Sequence, residues 1–208
     1  VKKFFKLMVT SATYRQSAAT AREKLVRDPA NRLLAHGPRF RMDAEMIRDY
    51  ALASSGLLVD KLGGPSVKPY QPDGVWEAVA MPNSDTAIYK RDSGDKLYRR
   101  SLYTFIKRSA PPAQMDIFNA PNRQTCTVRR DRTDTPLQAL MTLNDEQFVA
   151  GARHLAQETL KSGCAKDAER LDFMAERLLA RAFRAEERKV VESGLKDLLA
   201  HYRAEPKE

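Results

Sequence analysis

Cysteine is scarce. Cys126 and Cys164 are the only two in 208 residues, which excludes a disulfide framework, a CxxCH haem site and a four-cysteine zinc site. No apolar run approaches the ~20 residues that a membrane-spanning helix needs. The three histidines, His36, His154 and His201, are scattered and lack metal-ligand spacing. Gly63-Gly64-Pro65-Ser66 has neither the lysine nor the spacing of a phosphate loop, so it reads as a turn. There is no internal repeat and no low-complexity segment. The chain opens on Val1 without an initiator Met. Lys6 breaks the short apolar stretch that follows, so this is no secretory signal. The opening is expected to be a boundary inside a longer parent, with any targeting signal upstream.

What is present is ordinary globular composition, 42% hydrophobic and 30% charged, enough for one domain with a substantial core. Net charge is +9. The window from Thr86 to Thr135 holds eleven Lys/Arg against five Asp. Such basic surface attracts acidic polysaccharide, nucleic acid, anionic lipid or an acidic protein, but does not choose among them.

Hydrophobic periodicity gives a mainly α chain, an irregular helical domain with one small β-hairpin and a C-terminal antiparallel helical pair. One domain is expected over 1–208, with a core over 1–162. The first helix is expected over 1–17, with Val1, Phe4, Phe5, Met8 and Ala12 on one face and Lys2, Lys3 and Lys6 opposite. A basic amphipathic helix can lie on a membrane; packing of its apolar face on a core is the expectation. A short helix follows over 20–27. Met42, Met46, Tyr50, Ala53 and Leu57 mark a helix over 42–58 around which the others pack. The hairpin is expected over about 87–99, its strands flanking Asp92-Ser93-Gly94-Asp95. A helix from Ser101 to Lys107 should come next. Thr135-Pro136-Leu137-Gln138 is a helix start with a capping box. Asn144 with Gln147 repeats that signal and predicts a break before a helix running to Lys161. The pair at 166–204 turns near Arg184-Ala185.

Arg129, Arg130 and Arg132, with Arg99 and Arg100, are the anion-binding candidates. A guanidinium is a planar fork that takes carboxylate, sulfate or phosphate at two points. The favoured alternative ties these arginines to carboxylates that hold an irregular loop in place. Asp43, Glu45, Arg48, Asp49 and Arg39 are candidates for that polar network. Asp43 and Glu45 suit the first turn of a helix, where the dipole favours negative charge. No residue is expected to be catalytic and none to bind metal. Cys126 is expected to be a small buried hydrophobe rather than a nucleophile.

One set of motifs is familiar. It comprises Leu7 to Ser17 (LMVTSATYRQS), Asn31 to Leu34, Gly37 to Asp49 (GPRFRMDAEMIRD) and Gly63 to Val67 (GGPSV). Tyr98 to Tyr103 (YRRSLY), Cys126 to Arg130 (CTVRR) and Thr135 to Leu140 (TPLQAL) complete it. Together, in this order over residues 1–160, they resemble the C-terminal domain of unknown function of planctomycete-type cytochrome c-associated proteins. The resemblance implies an exported, extracytoplasmic parent with a cytochrome c-like domain upstream. Haem is thus expected only in that upstream region, and no cofactor in this chain.

Three functions remain in view. The first is a non-catalytic interaction or scaffold domain that docks upstream domains of the parent or an acidic or sulfated polysaccharide. It predicts a one-sided basic face without an enclosed polar pocket. The second is part of a multi-domain polysaccharide-acting hydrolase or redox enzyme with a shared site. It predicts an exposed cleft where Arg129, Arg130 or Arg132 meets Asp43 or Asp49. Nucleic-acid binding ranks last, because charge is its only support.

Overall fold

The structure is a computed structural model that describes residues 1–81 and 83–205. It is mainly helical, and among the described residues no strand forms; three isolated bridges are all the sheet-like pairing present. The chain divides into two compact units, Val1–Met42 and Asp43–Glu208.

The first unit carries α1 (Lys2–Thr10) and α2 (Arg22–Arg27). α1 stops well before residue 17 because local hydroxyls take its last carbonyls. Thr10 Oγ1 donates to Lys6 O and Ser11 Oγ to Met8 O, each at 2.7 Å. No residue of either helix is buried, so the apolar face of α1 does not meet the core expected for it. The unit is held by polar turns instead. Asp28 accepts from the amides of Arg32 and Leu33 at 3.0 and 2.7 Å, and those bonds lower its pKa. Gly37 is the unit's one buried residue. A Cβ there would sit 2.6 Å from Gln16 O, so the turn requires glycine.

The second unit is built on α3 (Ala44–Ser55). Around it stand α4 (Ala113–Ile117), α5 (Pro136–Asn144), α6 (Glu146–Lys161) and α7 (Asp167–Leu179), followed by α8 (Ala185–Ala204). Ala44, Met115 and Phe118 form an apolar cluster with Ile47, Met141 and Phe148 against it. Gly151 brings α6 close to α3, facing Ala51 and Ser55. Gly56, with φ of 84°, ends α3 in the left-handed conformation. His154 Nδ1 lies 2.7 Å from Ser55 O, and Arg177 Nη1 donates to Ser54 O at 3.5 Å. Basic side chains thus cover the negative end of the α3 dipole.

The capping box at Thr135 forms with Gln138, which is itself buried and also donates to Ile117 O at 2.9 Å. The break before α6 is where the sequence puts it, but Asp145 is the cap rather than Asn144, accepting from Gln147 N and Phe148 N. Burial raises the pKa of the Asp145 carboxyl, against the lowering effect of those two amides and of Arg48.

The hairpin over 87–99 does not form. Residues 94–98 make a 3-10 turn. The segment after it runs parallel to residues 59–67: Val59 N donates to Tyr98 O, and Phe105 N to Val67 O, at 3.0 and 2.8 Å. The expected Ser101–Lys107 helix shrinks to one 3-10 turn, Ser101–Tyr103. The cause is Arg48. It is 2% exposed and donates to Leu97 O and Arg99 O at 2.8 Å, to Ser101 Oγ at 3.2 Å and to Gln147 Oε1 at 2.6 Å. Carbonyls that a hairpin ladder would use accept from this guanidinium. On the other side, Tyr89 packs edge-on against buried Trp76 with ring centroids 4.9 Å apart, and its hydroxyl donates to Pro69 O. Burial raises the Tyr89 pKa to about 12, so it donates as a neutral phenol.

Arg48→Met should lower unfolding stability by about 3 kcal/mol, because it strands buried acceptors. Arg48→Lys, a point charge with no planar fork, should restore less than half of that loss. Urea denaturation monitored at Trp76 measures both.

Candidate functional site

The arginine-rich segment is irregular, and its residues 122–129 are exposed. It lies against the start of α3. Asp43 is the residue that precedes that helix and Glu45 lies in its first turn. Arg130 grips Glu45 with both terminal nitrogens, at 2.5 and 3.2 Å, and its Nη1 lies 3.8 Å from Asp43. The Glu45 hydrogen bond is the main cause of an Arg130 pKa above its ordinary value. Arg132 Nε lies 3.5 Å from Asp43, and Arg123 Nη2 3.6 Å from Glu45. Three guanidiniums therefore converge on two carboxylates that the helix end already favours as anions. Such two-point grips hold a loop lacking secondary structure of its own.

This arrangement encloses a half-open cleft of about 660 Å³, lined by Asp43 and by Thr127 through Arg132. Within it Arg129 differs from Arg130 and Arg132: among the described residues no carboxylate pairs with it. Arg130 and Arg132 face the cleft while anchored to Asp43 and Glu45. Among the described residues the cleft can thus offer the Arg129 guanidinium and the outer edges of two anchored ones.

The other candidates lie elsewhere. Arg99 is 5% exposed. Its nitrogens donate to the carbonyls of Lys61, Gly63 and Pro65 at 2.8, 2.5 and 3.0 Å. The guanidinium stacks on Tyr103 at 3.8 Å, and the Tyr103 hydroxyl accepts from Gly63 N. Arg99 therefore shapes the Gly63–Pro65 loop and faces backbone rather than an anion. Arg100 is half exposed and leans on Asp49 at 3.4 Å. Asp49 also accepts from Ser101 N at 2.7 Å. Burial lowers the Arg48 pKa to about 10, which still leaves a cation at neutral pH. Arg39 is an exposed residue of the first unit.

Arg123 escaped the sequence reading although it completes the anchor. Gln147, Ser101 and Tyr103, the partners of the two buried arginines, carry no sequence signal for that pairing. Among the described residues no three of His, Cys, Asp and Glu gather as a metal site. Cys126 and Cys164 are both free thiols, and Cys126 is exposed rather than buried as expected, because it lies in the irregular 122–129 run.

The family model named PSD1, described as a protein of unknown function (DUF1553), matches residues 1–195. No curated protein and no solved structure matches the chain.

Arg130→Ala should free the 122–132 segment while costing only about 1 kcal/mol, since the pair it breaks is partly solvated. Limited trypsin digestion should cut at Arg123, Arg129 and Arg132 several times faster. Glu45→Gln should behave alike, whereas Arg129→Ala should leave cleavage at the other sites unchanged.

Proposed function

The chain belongs to the PSD1 family, and on that premise we propose that it is a non-catalytic interaction domain that docks companion domains of a larger parent protein. One observation supports this above all: too little of its surface is covered. The chain exposes 15618 Å². A compact monomer of its mass would expose about 9,800 Å², and two separate globules of the units' sizes about 11,000 Å². Part of the excess lies on two helices of the larger unit. α8 is twenty residues long and buries none of them, with Val190 at 73% exposure and Leu198 and Tyr202 also open. α5 bears no charged residue, and Leu137, Leu140 and Leu143, three apart along one side, face outward. A neutral leucine stripe is the surface of a helix covered on both sides. The motif set supports the finer reading: a planctomycete-type, exported, extracytoplasmic parent with a haem-bearing cytochrome c-like domain upstream.

Carbene footprinting of this chain alone and within its full-length parent tests the docking. In the parent, labelling at Leu137, Leu140, Leu143, Val190 and Leu198 should fall several-fold. Equal labelling in both would remove the docking role.

The cleft favours a second reading, capture of an acidic or sulfated polysaccharide by Arg129 beside the anchored Arg130 and Arg132. It meets the exposed Arg–Asp cleft that the shared-enzyme reading requires. Yet Asp43 and Glu45 are each bonded to guanidiniums, so this chain supplies no unengaged carboxylate pair from them for acid–base work. Ligand that binds only the folded chain raises its melting temperature. Sulfated polysaccharide should do so at moderate salt, and Arg129→Ala should abolish the rise. A larger rise with duplex DNA that vanishes with salt would mean charge alone.

A further inference from the structure

We propose that the first unit, Val1–Met42, seats on an anionic lipid bilayer, with α1 lying in the plane of the interface. The residues involved are other than those of the leucine stripe and the cleft.

The geometry of α1 carries the proposal. At 100° per residue, Lys2, Lys3 and Lys6 fall within an arc of about 100°. Phe4, Phe5, Leu7, Met8 and Val9 fill an opposite arc of about 200°. The helix contains no carboxylate. Every one of these side chains is exposed, Phe4 by 63% and Leu7 by 69%. A helix docked on a globular partner buries a stripe of about 100° and keeps polar residues over the rest. An apolar arc twice that width suits a fluid phase that closes around the helix. A bilayer surface takes both arcs together: acyl chains receive the phenylalanines, and lysines reach along their stems to the phosphates.

The charge of the whole unit points the same way. Between Val1 and Met42 stand ten Lys/Arg and two acids, Glu23 and Asp28. That leaves +8 of the chain's +9 in 42 residues. Asp28 is occupied with the amides of its own turn. The remainder of the chain is nearly neutral, so attraction to an anionic surface is concentrated beside α1. A nine-residue helix buries too little to anchor alone, and interfacial attachment then needs a second, basic signal, which this unit has. No helix among the described residues is long and apolar enough to cross a membrane, so contact is confined to the surface.

Co-sedimentation of the full 208-residue chain with vesicles tests this. Vesicles of phosphatidylcholine with phosphatidylglycerol should retain the chain at least about tenfold better than phosphatidylcholine alone. Phe4→Ser/Phe5→Ser should reduce that retention about tenfold at unchanged melting temperature, since these rings bury nothing in the fold. Lys2→Gln/Lys3→Gln/Lys6→Gln should weaken it most at low salt. Leu7→Asn gives an independent check on the apolar arc should the double variant melt early. The proposal is overturned if the chain ignores anionic vesicles or binds neutral ones equally. It is also overturned if both apolar-arc variants bind like the parent sequence, because the unit would then be a general polyanion binder.

Discussion

A single buried guanidinium organises the larger unit. Arg48 sits on the inner side of α3 and ties it to α6 through Gln147 and to the 97–101 segment through two carbonyls and Ser101. Burying a cation costs several kcal/mol unless its donors are satisfied. That cost obliges Leu97, Arg99 and Ser101 to keep their places. Its neighbour Asp49 fixes the Ser101 amide. With the Arg99 backbone thus held, the Arg99 side chain reaches the Gly63–Pro65 loop and clamps it against Tyr103. The order of the irregular segments at 59–67 and 94–105 descends from one side chain through hydrogen bonds rather than through a sheet.

The apolar side of the ledger is correspondingly thin. The cluster of Ala44, Met115 and Phe118 is small, while α5 and α8 turn leucines and valines outward. A fold held by directed polar contacts can tolerate this, because each bond specifies geometry that generic apolar contact would leave loose. The exposed leucines are the surface that the proposed docking role would cover.

Charge is divided as sharply as packing. In the larger unit the arginines are mostly matched: Arg123, Arg130 and Arg132 against Asp43 and Glu45, Arg100 against Asp49, Arg181 against Glu187. Of the three arginines that line the cleft, Arg129 lacks such a match among the described residues. In Val1–Met42 the basic residues greatly outnumber the acids. The basic window at 86–135, the most conspicuous feature of the sequence, is therefore largely internal wiring, and the net charge resides in the first unit.

Local signals were legible wherever the physics is local. The capping box at Thr135, the break before α6, the acidic start of α3 and the periodicity of α6, α7 and α8 all depend on residues within a few positions of one another. The tie between the arginine segment and Asp43 was legible as chemistry, because a long irregular run needs side-chain partners. The 87–99 segment was not. Its alternation and glycine turn satisfy the local rules for a hairpin, but Arg48, some fifty residues earlier, takes the carbonyls of Leu97 and Arg99, and the following backbone pairs with residues 59–67. Likewise the pattern of α1 settled that it has an apolar face and a lysine face, while only the tertiary structure decided that none of the helix's residues is buried. Periodicity reports which side of an element avoids water. What meets that side is set by contacts between distant residues, and those follow from which donors and acceptors can be satisfied together.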